Sequence, residues 1–147
     1  MKSFIYAFRG IFYTIRTERN MRVHLCFTFY VILAGFVTQL SIPEWAAILV
    51  CIGVVNALEC LNTSVERLCD TVHPEKSEGI KHAKDTAAAA VLCAAVASAV
   101  VGGVIFFNAK KFTVALEFFN NHTVFAILIV LTLIPIGFFV KGRKREK

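Results

Sequence analysis

Four apolar blocks dominate this sequence and restrict it to folds that a bilayer can hold. The first covers residues 23–40. The second begins at Glu44, is apolar to Leu58 and keeps a helical pattern, with polar residues, to Val72. The third covers residues 86–107 and the fourth residues 123–140, with Pro135 expected to kink it. A helix needs about 20 apolar residues to cross roughly 30 Å of hydrocarbon, and these blocks approach or exceed that length. The composition agrees. Hydrophobic residues make up 57% and charged residues 18%, with a mean hydropathy of +0.67, where a soluble domain has about a quarter of its residues charged. A disordered chain, a collagen-like fibre and a disulfide-stapled secreted module are excluded. The expected fold is all-α: a polytopic membrane helical bundle the size of one domain.

Between the first two blocks, Ser41-Ile42-Pro43-Glu44 reads as a turn and a helix start. Ser41 is the cap, Pro43 sits in the first turn and Glu44 follows the serine by three residues. Ahead of the first block, Phe4, Ile5, Phe8, Phe12 and Ile15 recur at helical spacing, with Lys2, Arg9 and Arg16 on another face. That pattern predicts an amphipathic helix lying on a membrane surface. No small-residue cleavage site follows, so it does not read as a secretory signal.

Basic residues set the expected orientation. With four spans and the N-terminus inside, the cytoplasmic segments hold Lys2, Arg9, Arg16, Arg19 and Arg22, then Arg67, Lys76, Lys81 and Lys84, then Lys141, Arg143, Lys144, Arg145 and Lys147. Only Lys110 and Lys111 fall outside. That bias places both termini in the cytoplasm and makes the fourth block a true span. The net charge of +6 therefore points to a membrane and not to nucleic acid. Cys26, Cys51, Cys60, Cys69 and Cys93 contain no C-x-x-C pair and read as small buried packing residues. Ala83, Ala87, Ala90, Ala94 and Ala97 alternate spacings of four and three, a small-residue seam for close helix approach.

The chemistry-bearing stretch is Glu59 to Asp70. At 100° per residue, Glu59, Asn62, Thr63, Glu66 and Asp70 fall on one stripe about 100° wide, while Cys60, Leu61, Val65, Leu68 and Cys69 lie elsewhere. Glu59 lies roughly 22 Å along the helix from Glu44, near the inner edge of the hydrocarbon. A carboxylate there is costly and marks a functional site. The following loop, with Glu75, Lys76, Glu78, Lys81, Lys84 and Asp85, reads either as a solvated loop or as a charged set at the mouth of that site. Glu18, among Arg16, Arg19 and Arg22, reads as an interfacial ion-pair partner or, with Glu66, as part of a divalent-cation site. There is no Gly-rich phosphate loop, no Ser/His/Asp arrangement, and no metal-ligand spacing among His24, His73, His82 and His122.

Three of these pieces, in order, resemble the small bacterial integral-membrane lipid kinases: diacylglycerol kinase and its Gram-positive relative, undecaprenol kinase. They are Thr17-Glu18-Arg19-Asn20 with Arg22, the E-x-x-N-x-x-x-E run Glu59–Asn62–Glu66 continuing to Asp70, and Ala83-Lys84-Asp85 before the alanine-rich helix through Val91-Leu92. The first piece, with His24, looks more like the undecaprenol kinases. The resemblance implies a homotrimer with active sites between subunits, each chain giving a surface helix and three spans. It implies Glu59 as catalytic base, Glu18 and Glu66 as Mg²⁺ ligands, and Asn62 with Glu59 at the lipid substrate. Tyr6, Glu18, Glu66, Glu75, Lys84 and Asp85 are implied as nucleotide contacts, with ATP as phosphate donor. The family often has Glu-Tyr-His where this chain has Glu75-Lys76-Ser77. Residues 1–107 are expected to form the kinase domain. Residues 108–147, an additional span with a basic tail, lie outside the resemblance. The resulting expectation is ATP-dependent phosphorylation of a membrane lipid alcohol, with undecaprenol first and diacylglycerol as the alternative. Two other classes compete: a small proton-coupled transporter with Glu59 as proton carrier, and a structural membrane subunit. The acidic set at one interface favours the kinase over both.

Overall fold

The computed structural model describes residues 2–72 and 77–141. It consists of six helices in chain order: α1 (Lys2–Thr17), α2 (Arg19–Val37), α3 (Ile42–Val72), α4 (Glu78–Phe106), α5 (Ala109–Asn121) and α6 (Thr123–Lys141). No strand occurs among the described residues. Helices α2, α3, α4 and α6 are long and apolar enough to cross a membrane. The chain is an all-helical membrane protein. The helix through the fourth apolar block runs across Pro135 without interruption.

The expected starts and stops are visible as hydrogen bonds. Helix α2 ends in a Schellman arrangement. Leu40 N–H donates to the Gly35 carbonyl at 3.1 Å and Gln39 N–H to the Phe36 carbonyl at 3.3 Å. Gln39 takes the left-handed conformation, φ 53°, that this motif requires. Helix α3 then starts at the Ser41–Glu44 box. Glu44 Oε2 accepts from the Ser41 backbone N–H and from its hydroxyl, both at 2.7 Å. The serine hydroxyl thus donates to the glutamate rather than accepting from the helix backbone.

Side-chain polarity is arranged for a lipid solvent. Leu61 and Leu68 of α3 face outward, whereas Glu59, Asn62 and Thr63 face inward. Helices α3 and α4 form the most extensive contact, with α2 packing on α3. The alanine seam is only partly used. Ala87 and Ala94 are half-buried, with Val91 buried between them, whereas Ala83, Ala90 and Ala97 are exposed. The inward row of α4 keeps the same spacing at another phase: Lys84, Ala87, Val91, Ala94 and Ser98 are buried or half-buried. Cys69 is buried and Cys26, Cys51 and Cys60 are half-buried, but Cys93 is exposed, contrary to the expectation of burial. It lies on the outer face of α4.

The α2–α3 turn is closed by one close approach. A Cβ placed on Gly35 would lie 2.6 Å and 2.9 Å from ring atoms of Trp45 and 3.0 Å from Leu40. Trp45 also packs on Phe36, with ring centroids 5.0 Å apart. Gly35→Ala is therefore expected to cost about 1–3 kcal/mol by overpacking, read as a lowered thermal midpoint in detergent.

Helix α5 lies between the third and fourth apolar blocks. Asn108 caps it, its side chain accepting from Lys110 N–H at 2.9 Å. It joins two spans and is tied to the start of α3 by Lys111 Nζ, 2.8 Å from Glu44 Oε2. Helix α6 packs on α2, where Tyr30 and Thr132 share a hydroxyl–hydroxyl hydrogen bond of 3.0 Å.

Candidate functional site

The site grows from the polar stripe of α3. Glu59 is 1% exposed, Thr63 3% and Asn62 6%. Thr63 donates its hydroxyl to the Glu59 carbonyl at 2.9 Å, one turn back. Asn62 Nδ2 donates to Glu66 Oε1 at 3.1 Å, one turn on. These two bonds leave the functional ends of the stripe available. Glu59 Oε2 and Asn62 Oδ1 are buried with no hydrogen-bond partner among the described residues. A buried oxygen without a donor is costly and points to a ligand or reacting group that supplies one.

Those two side chains line a cleft of about 190 Å³ with Asn20 and His24 of α2 and Ala88, Val91, Leu92 and Ala95 of α4. His24 and Ala95 also line a larger groove of about 510 Å³ between α2, α3 and α4, walled by residues such as Phe27, Val31, Ile52 and Phe106. The cleft at the carboxylate therefore adjoins an apolar slot within the span region. Ordinary helical periodicity placed Glu59 and Asn62. It did not single out His24, whose sequence signals are its position four residues after Asn20 on the same face of α2 and its place beside the first resembling piece.

Glu18 reaches the site from the α1–α2 junction. Its N–H continues the α1 ladder by donating to the Thr14 carbonyl at 2.8 Å. Arg22 clasps the end of α1, donating to the carbonyls of Ile15 at 3.0 Å and Arg16 at 3.3 Å. A cation on the orphan carbonyls of a helix C-terminus is favourable and fixes the corner at Glu18. The Glu18 and Glu66 carboxylates lie close enough for their charges to be felt at Glu59. Arg67 pairs with Glu18, and Lys84 of α4 pairs with Asp70 of α3 while sensing the charge of Glu66. The structure thus brings Glu18, Glu59, Asn62, Glu66, Asp70 and Lys84 to one end of the bundle. Tyr6, on α1, and Asp85, on α4, are exposed and do not line the cleft. Glu75, with His73 and Lys76, lies outside the described residues. Among the described residues no group of three or more His, Cys, Asp or Glu side chains is placed to hold a metal ion.

The sequence profile of prokaryotic diacylglycerol kinase matches residues 5–106. The chain belongs to the prokaryotic diacylglycerol kinase family. Within that family it is 44% identical over 105 residues to the undecaprenol kinase of Bacillus subtilis, covering 71% of this chain and 85% of that protein. It is 41% identical over 102 residues to the diacylglycerol kinase of Synechocystis, covering 69% of this chain and 58% of that protein. No solved structure matches it at a significant level. In this member of the kinase family, every described residue lining the Glu59 cleft falls inside the matched region, whereas α5 and α6 fall beyond it.

Proposed function

We propose that this protein is an ATP-dependent lipid kinase that phosphorylates the hydroxyl of a membrane lipid alcohol, undecaprenol in the first place. The observation that carries the reading is Glu59: a buried carboxylate with one unpartnered oxygen, set where a small cleft shared with Asn20, His24 and Asn62 adjoins an apolar slot. A long-chain alcohol fits that junction. Its hydrocarbon stays in the slot and its hydroxyl reaches the carboxylate. Similarity to an undecaprenol kinase over most of both chains favours the prenyl alcohol.

In this mechanism the lipid hydroxyl donates to Glu59 Oε2. Glu59 takes the proton as the hydroxyl oxygen attacks the γ-phosphorus of ATP, and the bond to the β–γ bridging oxygen breaks, releasing ADP. Phosphoryl transfer asks mainly for positioning and charge stabilisation, so a small site suffices. Asn62, anchored on Glu66, lines the same cleft beside Glu59 and is assigned to the lipid substrate on the family resemblance. Lys84 supplies a fixed cation for the phosphates, and Asp85 and Tyr6, with Glu75, are assigned to the nucleotide on the family resemblance. Glu18 and Glu66 are the residues that would hold Mg²⁺. Two carboxylates with nucleotide phosphates and water complete a Mg²⁺ shell, so the donor set fits without a third protein ligand. The ion would neutralise charge on the phosphates.

The assembly assigned is a homotrimer, with residues 1–107 as the kinase domain and both termini cytoplasmic. The fourteen cytoplasmic-side basic residues against Lys110 and Lys111 support that orientation. A cysteine added after Lys147, with the five native cysteines replaced, is expected to resist an impermeant thiol reagent applied to intact cells; labelling would refute the orientation. Deletion from Asn108 onward is expected to retain phosphoryl transfer at a lower melting temperature. The deleted helices touch α2 and the far end of α3, through Tyr30–Thr132 and Glu44–Lys111, and not the cleft. A folded truncation without activity would place part of the site in α5 or α6.

The decisive experiment is a lipid panel with purified protein in detergent micelles and radiolabelled ATP. Undecaprenol is expected to take up the label in preference to diacylglycerol. Preference for diacylglycerol would reassign the substrate, and ATP consumption with neither lipid would overturn the kinase reading.

A further inference from the structure

We propose that Arg67 is a positioning residue that competes with a divalent cation for the carboxylate of Glu18. The inference rests on the assignment of Glu18 as a cation ligand. Arg67 Nη2 lies 3.4 Å from Glu18 Oε1, joining the α1–α2 corner to α3 across 49 residues of sequence. The guanidinium carbon also lies 5.6 Å from the centroid of the Tyr13 ring on α1. One cation therefore addresses two neighbours, a carboxylate and a ring face. Its own side chain is 39% exposed whereas that of Glu18 is 17% exposed. The anion is fixed in the protein and the cation is partly in water.

That asymmetry has a consequence for ion binding. Glu18 and Glu66 both lie within electrostatic reach of Glu59, and like charges so placed repel. A guanidinium on Glu18 relieves part of that repulsion when no metal is bound. A metal ion that takes the same oxygen weakens that pair, because the guanidinium and the ion repel one another. An ion pair this long and this exposed is weak, so it yields to the metal. The Tyr13 face then retains the displaced guanidinium, keeping α1 against α3. Arg67 holds Glu18 at the position where the cation will need it, and lowers the cation affinity of the nucleotide-free protein in doing so.

The test uses the full-length protein in detergent without nucleotide or lipid, with Mn²⁺ binding followed by electron paramagnetic resonance and stability by thermal unfolding. Arg67→Gln is expected to tighten Mn²⁺ binding roughly twofold to fivefold, the range that a weak ion pair supports. It is also expected to lower the melting temperature of the metal-free protein, with the deficit shrinking at saturating Mn²⁺; a merely structural arginine would lower both alike. In a Glu18→Gln background, Arg67→Gln is expected to leave Mn²⁺ affinity unchanged. Unchanged affinity in the single variant would overturn the proposal, as would an equal gain in the Glu18→Gln background, which would show charge acting at a distance. If Glu18→Gln alone leaves Mn²⁺ binding intact, the assignment of Glu18 as a ligand fails. If Glu18→Gln weakens binding while Arg67→Gln has no effect, only the competition fails.

Discussion

Glu59→Gln is expected to reduce lipid phosphorylation by about two to four orders of magnitude, the usual contribution of a general base, while the protein folds and binds ATP as before. The substitution keeps the volume of a side chain that is 1% exposed, so no cavity opens around it. It exchanges one carboxylate oxygen for an amide nitrogen and removes the ability to accept the hydroxyl proton. Neutralising a buried group that sits near two other carboxylates relieves repulsion, so the melting temperature should hold or rise. Loss of turnover without loss of stability is the signature that separates a reacting group from a structural one. The rate is measured in a micelle assay at saturating lipid and ATP, and the fold by thermal unfolding of the same preparation. Turnover within a factor of a few of the unsubstituted protein would remove Glu59 from the chemistry. A Gln protein that no longer folds would be followed by Glu59→Asp, expected to fold and to lose most activity because the shorter side chain draws the carboxylate back toward the α3 backbone.

The features legible before the structure were those carried by local periodicity. The inward stripe of Glu59, Asn62 and Thr63 followed from helical phase alone, because in a lipid solvent the polar side chains must find the interior and Leu61 and Leu68 are free to face out. The start of α3 was equally legible, since Ser41 and Glu44 meet across one turn. What periodicity did not carry was the cross-chain geometry. The Glu18–Arg67 pair joins residues 49 apart, and either could have served as a snorkelling interfacial charge. Helix α5 carries no such signal, because a short amphipathic segment between two spans has the composition of a loop. The alanine spacing of α4 did not fix its inward face. Small residues permit close approach on any face they occupy, and α4 carries alanines on several, so their spacing did not decide which row meets α3. The cleft combines both kinds of information. Its floor is the α3 stripe, and its walls at His24 and Ala95 emerge only once three helices are packed.

The second large effect expected is at Glu18 and Glu66, which approach the same reaction centre from different elements. Glu18 is held at the corner between α1 and α2 by the Arg22 clasp, and Glu66 by Asn62 one turn back along α3. Each single change to Gln is expected to raise the Mg²⁺ concentration needed for half-maximal rate by about tenfold to a hundredfold and to lower the saturated rate. Removing one of two carboxylates weakens the ion's hold and misplaces the phosphates it would orient; even groups that only support a metal's ligands commonly cost that much. The double change is expected to cost much less than the product of the two single effects. Once one carboxylate is gone the ion is poorly held, and the second has little left to contribute, so groups acting through one ion are strongly non-additive. The comparison is made by titrating Mg²⁺ at fixed ATP and undecaprenol for the four proteins of the cycle. Substitution of Glu66 carries one further effect, because Gln accepts from Asn62 as Glu does and so preserves the Asn62 anchor; Glu66→Ala would free Asn62 and should raise the KM for lipid as well. Multiplicative losses in the Gln cycle would place the two carboxylates in separate sites. An unchanged Mg²⁺ requirement in both singles would leave the pair as structural charges and return the phosphate-binding role to Lys84 and its neighbours.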